Sequence, residues 1–318
     1  MPVPRVDVAR RRDLLAPGDN RRLSRNVRSG EWVRVAPGSY VVREAWAALT
    51  PIERHRLRVD EVVLRLQTPA VVSHLAAAAL WDIDVLGPWP TAVDVTIGRT
   101  TGGRSGGALR RHALGLDGVE RIPFGRHEVT SAAQTALDLA RALPFVRAVT
   151  AVDQALWSQR RGGPLCTKDE LLQALERGGP RRGDVRARRA IDAGEALAAN
   201  VRETQVRVVA IGLGFGIPRL QERRVLRSGR LVFGDLYSPD HDHWVEIDGR
   251  GKYLSPQFGA GRAPADIVLD EKDRENEIRR EVRGFSRLGA TDADHPGRMY
   301  DILTGDGLPS TKPRPRTR

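Results

Sequence analysis

The sequence predicts a multidomain chain of mixed α+β and α/β character. Its expected parts are an N-terminal winged helix (1–48), a mixed α/β middle domain (49–180) and a C-terminal αβββαβ domain (195–305). Three observations lead there. The 318 residues, 40% of them hydrophobic and 29% charged, suffice for two or three separate cores. Near the N-terminus a basic helical pattern runs into two apolar stretches around a Pro-Gly turn, the layout of a winged helix-turn-helix. From about Glu195 the pattern reads helix, three strands on short turns, helix, strand and helix.

Composition excludes several classes. The single Cys166 rules out a disulfide framework, a CxxC zinc ribbon and an iron–sulfur cluster, and it fits a reducing compartment. No run of about 18 apolar residues exists to span a membrane. The opening MPVPRVDVARRRDLL lacks the apolar core of a signal peptide, so a soluble, cytoplasmic protein is expected. The net charge of +12 is mostly arginine, since only Lys168, Lys252, Lys272 and Lys312 are lysines among 52 basic residues. An arginine excess in an Ala- and Gly-rich chain can reflect coding bias, so the placement of the charges carries more than their sum.

In the first segment Asp19 can cap the helix DNRRLSRNVRSG, which ends on Gly30, and WVRVAPGSYVV supplies the hairpin. Arg21, Arg22, Arg25 and Arg28 recur at three- to four-residue spacing and share a helix face able to meet a phosphate backbone, with Arg34 on the wing. The same spacing also describes a solvated helix face beside a small hairpin.

The second segment opens with a capping box, Thr50 to Glu53, with Pro51 in the first helical position, and that helix should reach about Gln67. The strand AVVS, the helix HLAAAALW and the alternating strand TAVDVTIG follow. TTGGRSGG reads as a hairpin loop, because no helix start with GK[ST] comes after it. Three helices then close the segment, the last with a capping box from Thr167 to Glu170. His74, His112 and His127 fall in different elements and suggest no common site. A boundary is expected at GGPRRGD, residues 178–184. The last residues, 306–318, read as a disordered basic tail.

The third segment carries the candidate chemistry. Trp244, Glu246 and Asp248 alternate with Val245 and Ile247, so both carboxylates project from one strand face. Asp235 ends the preceding strand, and Glu203 lies within an otherwise apolar helix. Four acids converging on a sheet edge call for a hard divalent cation, Mg²⁺ or Mn²⁺, with Asp235, Glu246 and Glu203 as metal ligands. Lys252, four residues beyond Asp248, would neutralise a phosphate or position the attacking water, and the set suits phosphodiester hydrolysis. Lys272, Asn276 and Arg279 form a polar stripe on the next helix, placed to touch nucleic acid. Each acid also has an ordinary alternative as a strand end, turn residue or ion-pair partner. PDHDH (239–243) reads as an exposed turn, and GLGFG (212–216) as a helix C-cap.

The run VEIDGRGKY, then DEKDRENEIRR and a short strand, resembles the endonuclease-like domain at the C-terminus of many actinobacterial proteins. That domain is similar to the very-short-patch-repair and restriction endonuclease superfamily, the PD-(D/E)XK fold. Glu203, Pro218, Gln221 and Asp235 match its upstream pattern, and Arg287 stands as counterpart of its later arginine. The superfamily usually places lysine two residues after the glutamate; here Asp248 occupies that place. RRLSRNVRSGEWVRVAPGSYVV, VVSHLAAAALWDI and VTSAAQTALDLAR resemble the AbiEi-type antitoxins of type IV toxin–antitoxin systems. This likeness implies DNA binding through residues 10–43, operon repression and a cognate toxin as partner. Two readings stay open: a metal-dependent endonuclease in defence or repair, and a non-catalytic antitoxin or repressor that keeps a degenerate nuclease fold.

Overall fold

The computed structural model describes residues 6–13, 19–99, 105–177, 179–248 and 264–316, with backbone alone over 264–269. The chain divides into two compact units, one reaching Gly194 apart from Trp157–Gln159, and one made of those three residues with Glu195–Arg318. Residues 184–192, beyond the expected boundary, belong to the first unit as a helix.

The first unit begins with a small sheet. Strand β1 (Ala9–Arg10), helix α1 (Asp19–Ser29), β2 (Trp32–Ala36) and β3 (Ser39–Val42) follow in order, and the sheet runs β1-β3-β2, antiparallel throughout. Gly38 has φ +68 in the β2–β3 turn, where a side chain would be strained. Val35, Val41, Leu49 and Leu57 form the core beneath it. Arg10 reaches Glu61 with a 2.6 Å ion pair, and Glu61 also accepts the Ser39 hydroxyl at 2.6 Å.

Helices α2 (Arg43–Ala48) and α3 (Pro51–Val63) lead into the larger sheet. Thr50 and Glu53 close the expected capping box, and α3 ends at Val63, short of Gln67. Strands β4 (Val71–Val72), β5 (Val93–Thr96), β6 (Leu109–His112), β7 (Arg121–Phe124) and β8 (His127–Thr130) stand in the order β6-β5-β4-β8-β7. Contrary to the hairpin expected around TTGGRSGG, β5 and β6 are parallel, so these two strands are not the arms of a hairpin. Residues 100–104 of that loop lie outside the described residues. Helices α4 (His74–Trp81), α5 (Ala132–Ala142), α6 (Phe145–Leu156), α7 (Lys168–Arg177) and α8 (Asp184–Asp192) complete the unit around an alanine- and leucine-rich interior.

The second unit has the order α9 (Val201–Leu213), β9 (Arg219–Val225), β10 (Leu231–Ser238), β11 (His243–Asp248), α10 (Pro264–Arg279), β12 (Gly284–Gly289) and α11 (Pro296–Gly305). The sheet runs β12-β11-β10-β9, antiparallel except for the β11–β12 pair that the α10 crossover makes parallel. Val245 and Ile247 face α9 and α11 within one core; Trp244 and Phe285 face α10 with Ile278 in another. Gly234 is required under Trp244, since a Cβ there would lie 2.4 Å from the indole. The helix α9 starts later than the sequence pattern suggests, because Asn200 caps it by accepting from the backbone N–H groups of Arg202 and Glu203. Gly214, φ +91, ends it as C-cap.

Residues 306–316 differ from the expected disordered tail. Leu308 is buried, Ser310 and Thr311 hydroxyls donate to the Leu213 and Gly214 carbonyls, and Lys312 Nζ donates to Gly212 O at 2.9 Å. These contacts satisfy the carbonyls that a helix end leaves open and place a cation at the negative end of its dipole. Among the described residues no helix is long and apolar enough to cross a membrane.

Candidate functional site

Two surfaces hold several of the residues singled out from sequence. The first is α1. Leu23 is its buried anchor, which turns Arg21, Arg22, Arg25 and Arg28 outward, all exposed. Arg21, Arg25 and Arg28 line a shallow groove with Asn20, Ser24 and Ser29, whereas Arg22 projects beside it. None of the four forms an ion pair among the described residues, and Arg28 only touches Ser24 O in its own helix, at 3.3 Å. Arg34 is exposed on β2. The positive charge of this surface is therefore available to solvent.

The second surface is the α10-facing side of β11. Strand alternation puts Trp244, Glu246 and Asp248 there, as the sequence implies. Each carboxylate meets an arginine. Arg274 of α10 donates through Nη2 to Glu246 Oε1 at 2.5 Å and lies 3.4 Å from Oε2, while Trp244 Nε1 donates to Oε1 at 3.1 Å. Arg287 of β12 donates to both Asp248 oxygens, at 2.8 and 2.7 Å. The same guanidinium reaches Glu271 at 3.2 Å and also pairs with Glu275. The Asp248 hydrogen bonds, reinforced by these acids, raise the Arg287 pKa above its ordinary value.

The other two acids lie elsewhere. Asp235 Oδ2 accepts the backbone N–H of Ile247 at 2.8 Å, beyond the point where the regular β10–β11 ladder stops. Glu203 stands in the first turn of α9, which packs on the opposite sheet face. There it accepts from Ala199 N at 2.9 Å and Asn200 Nδ2 at 2.6 Å, and Gln221 Nε2 approaches at 3.3 Å. This corrects the expectation of a charge lodged inside an apolar helix: a carboxylate at the third helical position is stabilised by open N–H groups and the helix dipole. Gln221 itself has φ +49, a strained backbone for a non-glycine residue in a strand.

The expected convergence of four acids is thus replaced by separate pairings. A hard divalent ion needs several oxygens with open lone pairs at 2.0–2.1 Å for Mg²⁺. Glu246, Asp248 and Glu203 each offer both oxygens to protein donors, so of the expected ligands Glu246 and Glu203 are not open to Mg²⁺ or Mn²⁺ in this arrangement, while Asp235 engages only Oδ2 among the described residues. Among the described residues no group of three or more His, Cys, Asp or Glu is placed to hold a metal. Lys252, with Gly249 and Tyr253, lies outside the described residues.

Lys272 and Asn276 are exposed on α10, and Arg279 is tied to Glu275 at 2.8 Å and stacked 4.0 Å over Phe285. PDHDH is a turn, but not an open one. Asp242 accepts from Tyr237 Oη at 2.8 Å and Arg224 Nη2 at 3.2 Å, and His243 is buried against Ser286.

Sequence reasoning missed two features. Arg274 sits inside the quoted DEKDREN run, yet helical spacing alone does not say which of its charges faces the sheet. His74 and His112, which sequence order separates, are stacked with ring centroids 3.7 Å apart. His112 Nε2 is 2.8 Å from Asp94, which Arg110 also engages. A usable signal was Asp94, a lone acid in the centre of an otherwise buried strand.

No protein-family model matches the chain. It is 28% identical over 170 residues to an uncharacterized protein present in two strains of Mycobacterium tuberculosis. The match takes in 52% of this chain and 58% of each relative, so less than two thirds of the relatives' length is represented.

Proposed function

We propose that the chain is a DNA-binding protein of the repressor or antitoxin kind, in which α1 and the β2–β3 hairpin act as a winged helix. The C-terminal unit serves as a nuclease-like scaffold whose acids are neutralised by arginine. The observation that carries the reading is the exposed set Arg21, Arg25 and Arg28, without an ion pair among the described residues, on the helix that leads directly into the hairpin. Guanidinium groups free of acidic partners gain by replacing the counterions of a phosphate backbone. Arg34 adds an exposed cation on the hairpin, and β2 of the β1-β3-β2 sheet packs against the helix. The resemblance to AbiEi-type antitoxins adds a cognate toxin as a second partner.

The test is duplex-DNA binding by fluorescence anisotropy across a salt series. Replacing Arg25 and Arg28 together with Ala should weaken binding and lower the slope of log K against log salt by about 1.8, two phosphates at about 0.9 each. An unchanged slope refutes the assignment of α1.

A second reading, a Mg²⁺- or Mn²⁺-dependent endonuclease, is favoured by one observation: Asp235 leaves one carboxylate oxygen without a partner among the described residues. Metal-dependent nicking of supercoiled DNA that disappears in Asp235→Ala and Glu246→Ala would establish that reading over the first. Equal absence of nicking, with DNA binding intact, favours the scaffold.

A further inference from the structure

We infer that a cleft in the first unit, between the β5–β6 end of its larger sheet and helices α5 and α8, binds the phosphate group of a phosphomonoester. The site is independent of the DNA reading above. The cleft measures about 380 Å³ and is lined by Arg99, Arg141, Arg182, Arg186, His74 and His112. That volume accommodates a small ligand.

Its charge is out of balance, five arginines against one lining acid, Asp138. Arg99, Arg182 and Arg186 are exposed at the rim and form no ion pair among the described residues. Arg99 donates only to Leu114 O at 3.4 Å and Arg186 to Arg141 O at 2.7 Å, both neutral carbonyls. Deeper in, Arg141 is only 8% exposed. Its Nε donates to Asp184 at 2.8 Å and its Nη1 lies 3.9 Å from Asp138, but Nη2 is buried with no hydrogen-bond partner. A buried guanidinium N–H left unmade costs about 1–3 kcal/mol; Nη2 is closed to solvent as placed, so a small turn of the guanidinium toward the cleft would let an oxyanion remove that cost. Several planar, fork-shaped donors around one small space suit the tetrahedral oxygens of a phosphate better than a single carboxylate.

The architecture holds this arrangement in place. Gly183 has φ +97, and a Cβ there would lie 2.8 Å from Arg141 O. This close approach sets residues 180–184 against α5, with Arg182 and Arg141 lining the same cleft. On the far wall His74 has left-handed backbone, φ +49, with Nδ1 3.0 Å from the Ser73 hydroxyl. Burial lowers its pKa to about 3, so near neutral pH its ring adds no charge to the crowd of arginines. Leu114 and Ala142 give an apolar wall for the part of the ligand that carries the phosphate.

The experiment is isothermal titration of the full chain with inorganic phosphate, adenosine 5′-monophosphate, and a short single-stranded oligonucleotide bearing either 5′-phosphate or 5′-hydroxyl, at matched ionic strength. We expect saturable binding of phosphate-bearing probes and at least tenfold weaker binding in Arg99→Gln/Arg182→Gln, whose changes are at exposed positions and spare the fold. Tighter binding of the nucleotide, or of the 5′-phosphorylated strand over its 5′-hydroxyl twin, supports the inference and identifies the source of the phosphate. Binding of inorganic phosphate alone, with neither the nucleotide nor the 5′-phosphorylated strand bound, overturns the phosphomonoester as ligand. The Arg25→Ala/Arg28→Ala protein should bind phosphate like the parent, which separates this site from the α1 surface. No binding of any probe, or binding unchanged in Arg99→Gln/Arg182→Gln, overturns the inference.

Discussion

Arg274 neutralises Glu246, and replacing it by Gln tests that pairing directly. The side chain is 25% exposed and Glu246 12%, so the pair is neither fully solvated nor dry. At an effective dielectric of about 20 and a separation of about 3 Å, the attraction is roughly 5 kcal/mol before desolvation. Desolvation and side-chain ordering offset much of this, and hydrogen bonds to charged groups are typically worth about 1.5–3 kcal/mol net. Arg274→Gln should therefore cost about 2 kcal/mol, since Glu246 would keep only the Trp244 N–H. With a urea dependence of about 2 kcal/mol per M, the midpoint of the second unit's transition should fall by about 1 M. Glu246→Gln alone should cost less, because Arg274 retains Phe233 O at 3.2 Å and partial exposure. The double variant should recover about 1 kcal/mol relative to the sum of the singles, as contacting partners do. Mg²⁺ should leave the parent's midpoint unmoved and raise that of Arg274→Gln, whose carboxylate is released. A coupling near zero refutes the pairing. A Mg²⁺-dependent rise in the parent that Glu246→Gln abolishes refutes the view that arginine holds the cation's place.

Other outcomes follow from the same contacts. Burial, helped by the nearby Arg58 charge, lowers the His55 pKa to about 4, below the value near 6.5 expected when unfolded. The unfolded chain then takes up the proton first, so His55's contribution is complete above pH 6.5 and drains as pH falls towards 4, by roughly 3 kcal/mol. Asp138, raised to about 6 by burial, acts in the opposite sense between pH 3.8 and 6. Chemical denaturation of His55→Leu against the parent should show the variant losing less stability from pH 6.5 to 4; parallel curves would contradict this. Gly183→Ala, which meets both positive φ and the Arg141 carbonyl, should destabilise the first unit by about 1–3 kcal/mol in thermal unfolding. Truncation after Asp306 removes the buried Leu308 and three side-chain bonds to the end of α9, and should cost the second unit about 2–4 kcal/mol by the same measurement.

Much of the second unit was legible because its signals are local. Alternation in HWVEID fixes which residues share a face, and the length between that strand and GFSRLG requires a helical crossover and hence a parallel pair. The α1 helix with its single apolar anchor was legible for the same reason. What escaped depends on distance along the chain. Arg274 and Arg287 reach their acids across 28 and 39 residues, so sequence shows the acids clustered while concealing the charges that balance them. Glu203 was misplaced by a shift of the helix start, which Asn200 sets through a cap that apolar periodicity does not register. The tail was misread from composition, because one buried leucine and a few bonds to a helix end outweigh a Pro- and Arg-rich bias. The stacked histidines sit on α4 and β6, and only the sheet order brings those elements together.

Trp244 gives the acidic face an optical consequence. The indole is fully buried, rests over Gly234, lies edge-on to Tyr237 and has the Arg224 guanidinium 5.5 Å from its ring centre. Its N–H donates to the oxygen of Glu246 that Arg274 holds. Whatever draws Glu246 away therefore alters the polarity felt by a chromophore already shielded from water. A single-tryptophan version retaining Trp244 would report the state of this carboxylate through emission wavelength and quenching, without any attached dye.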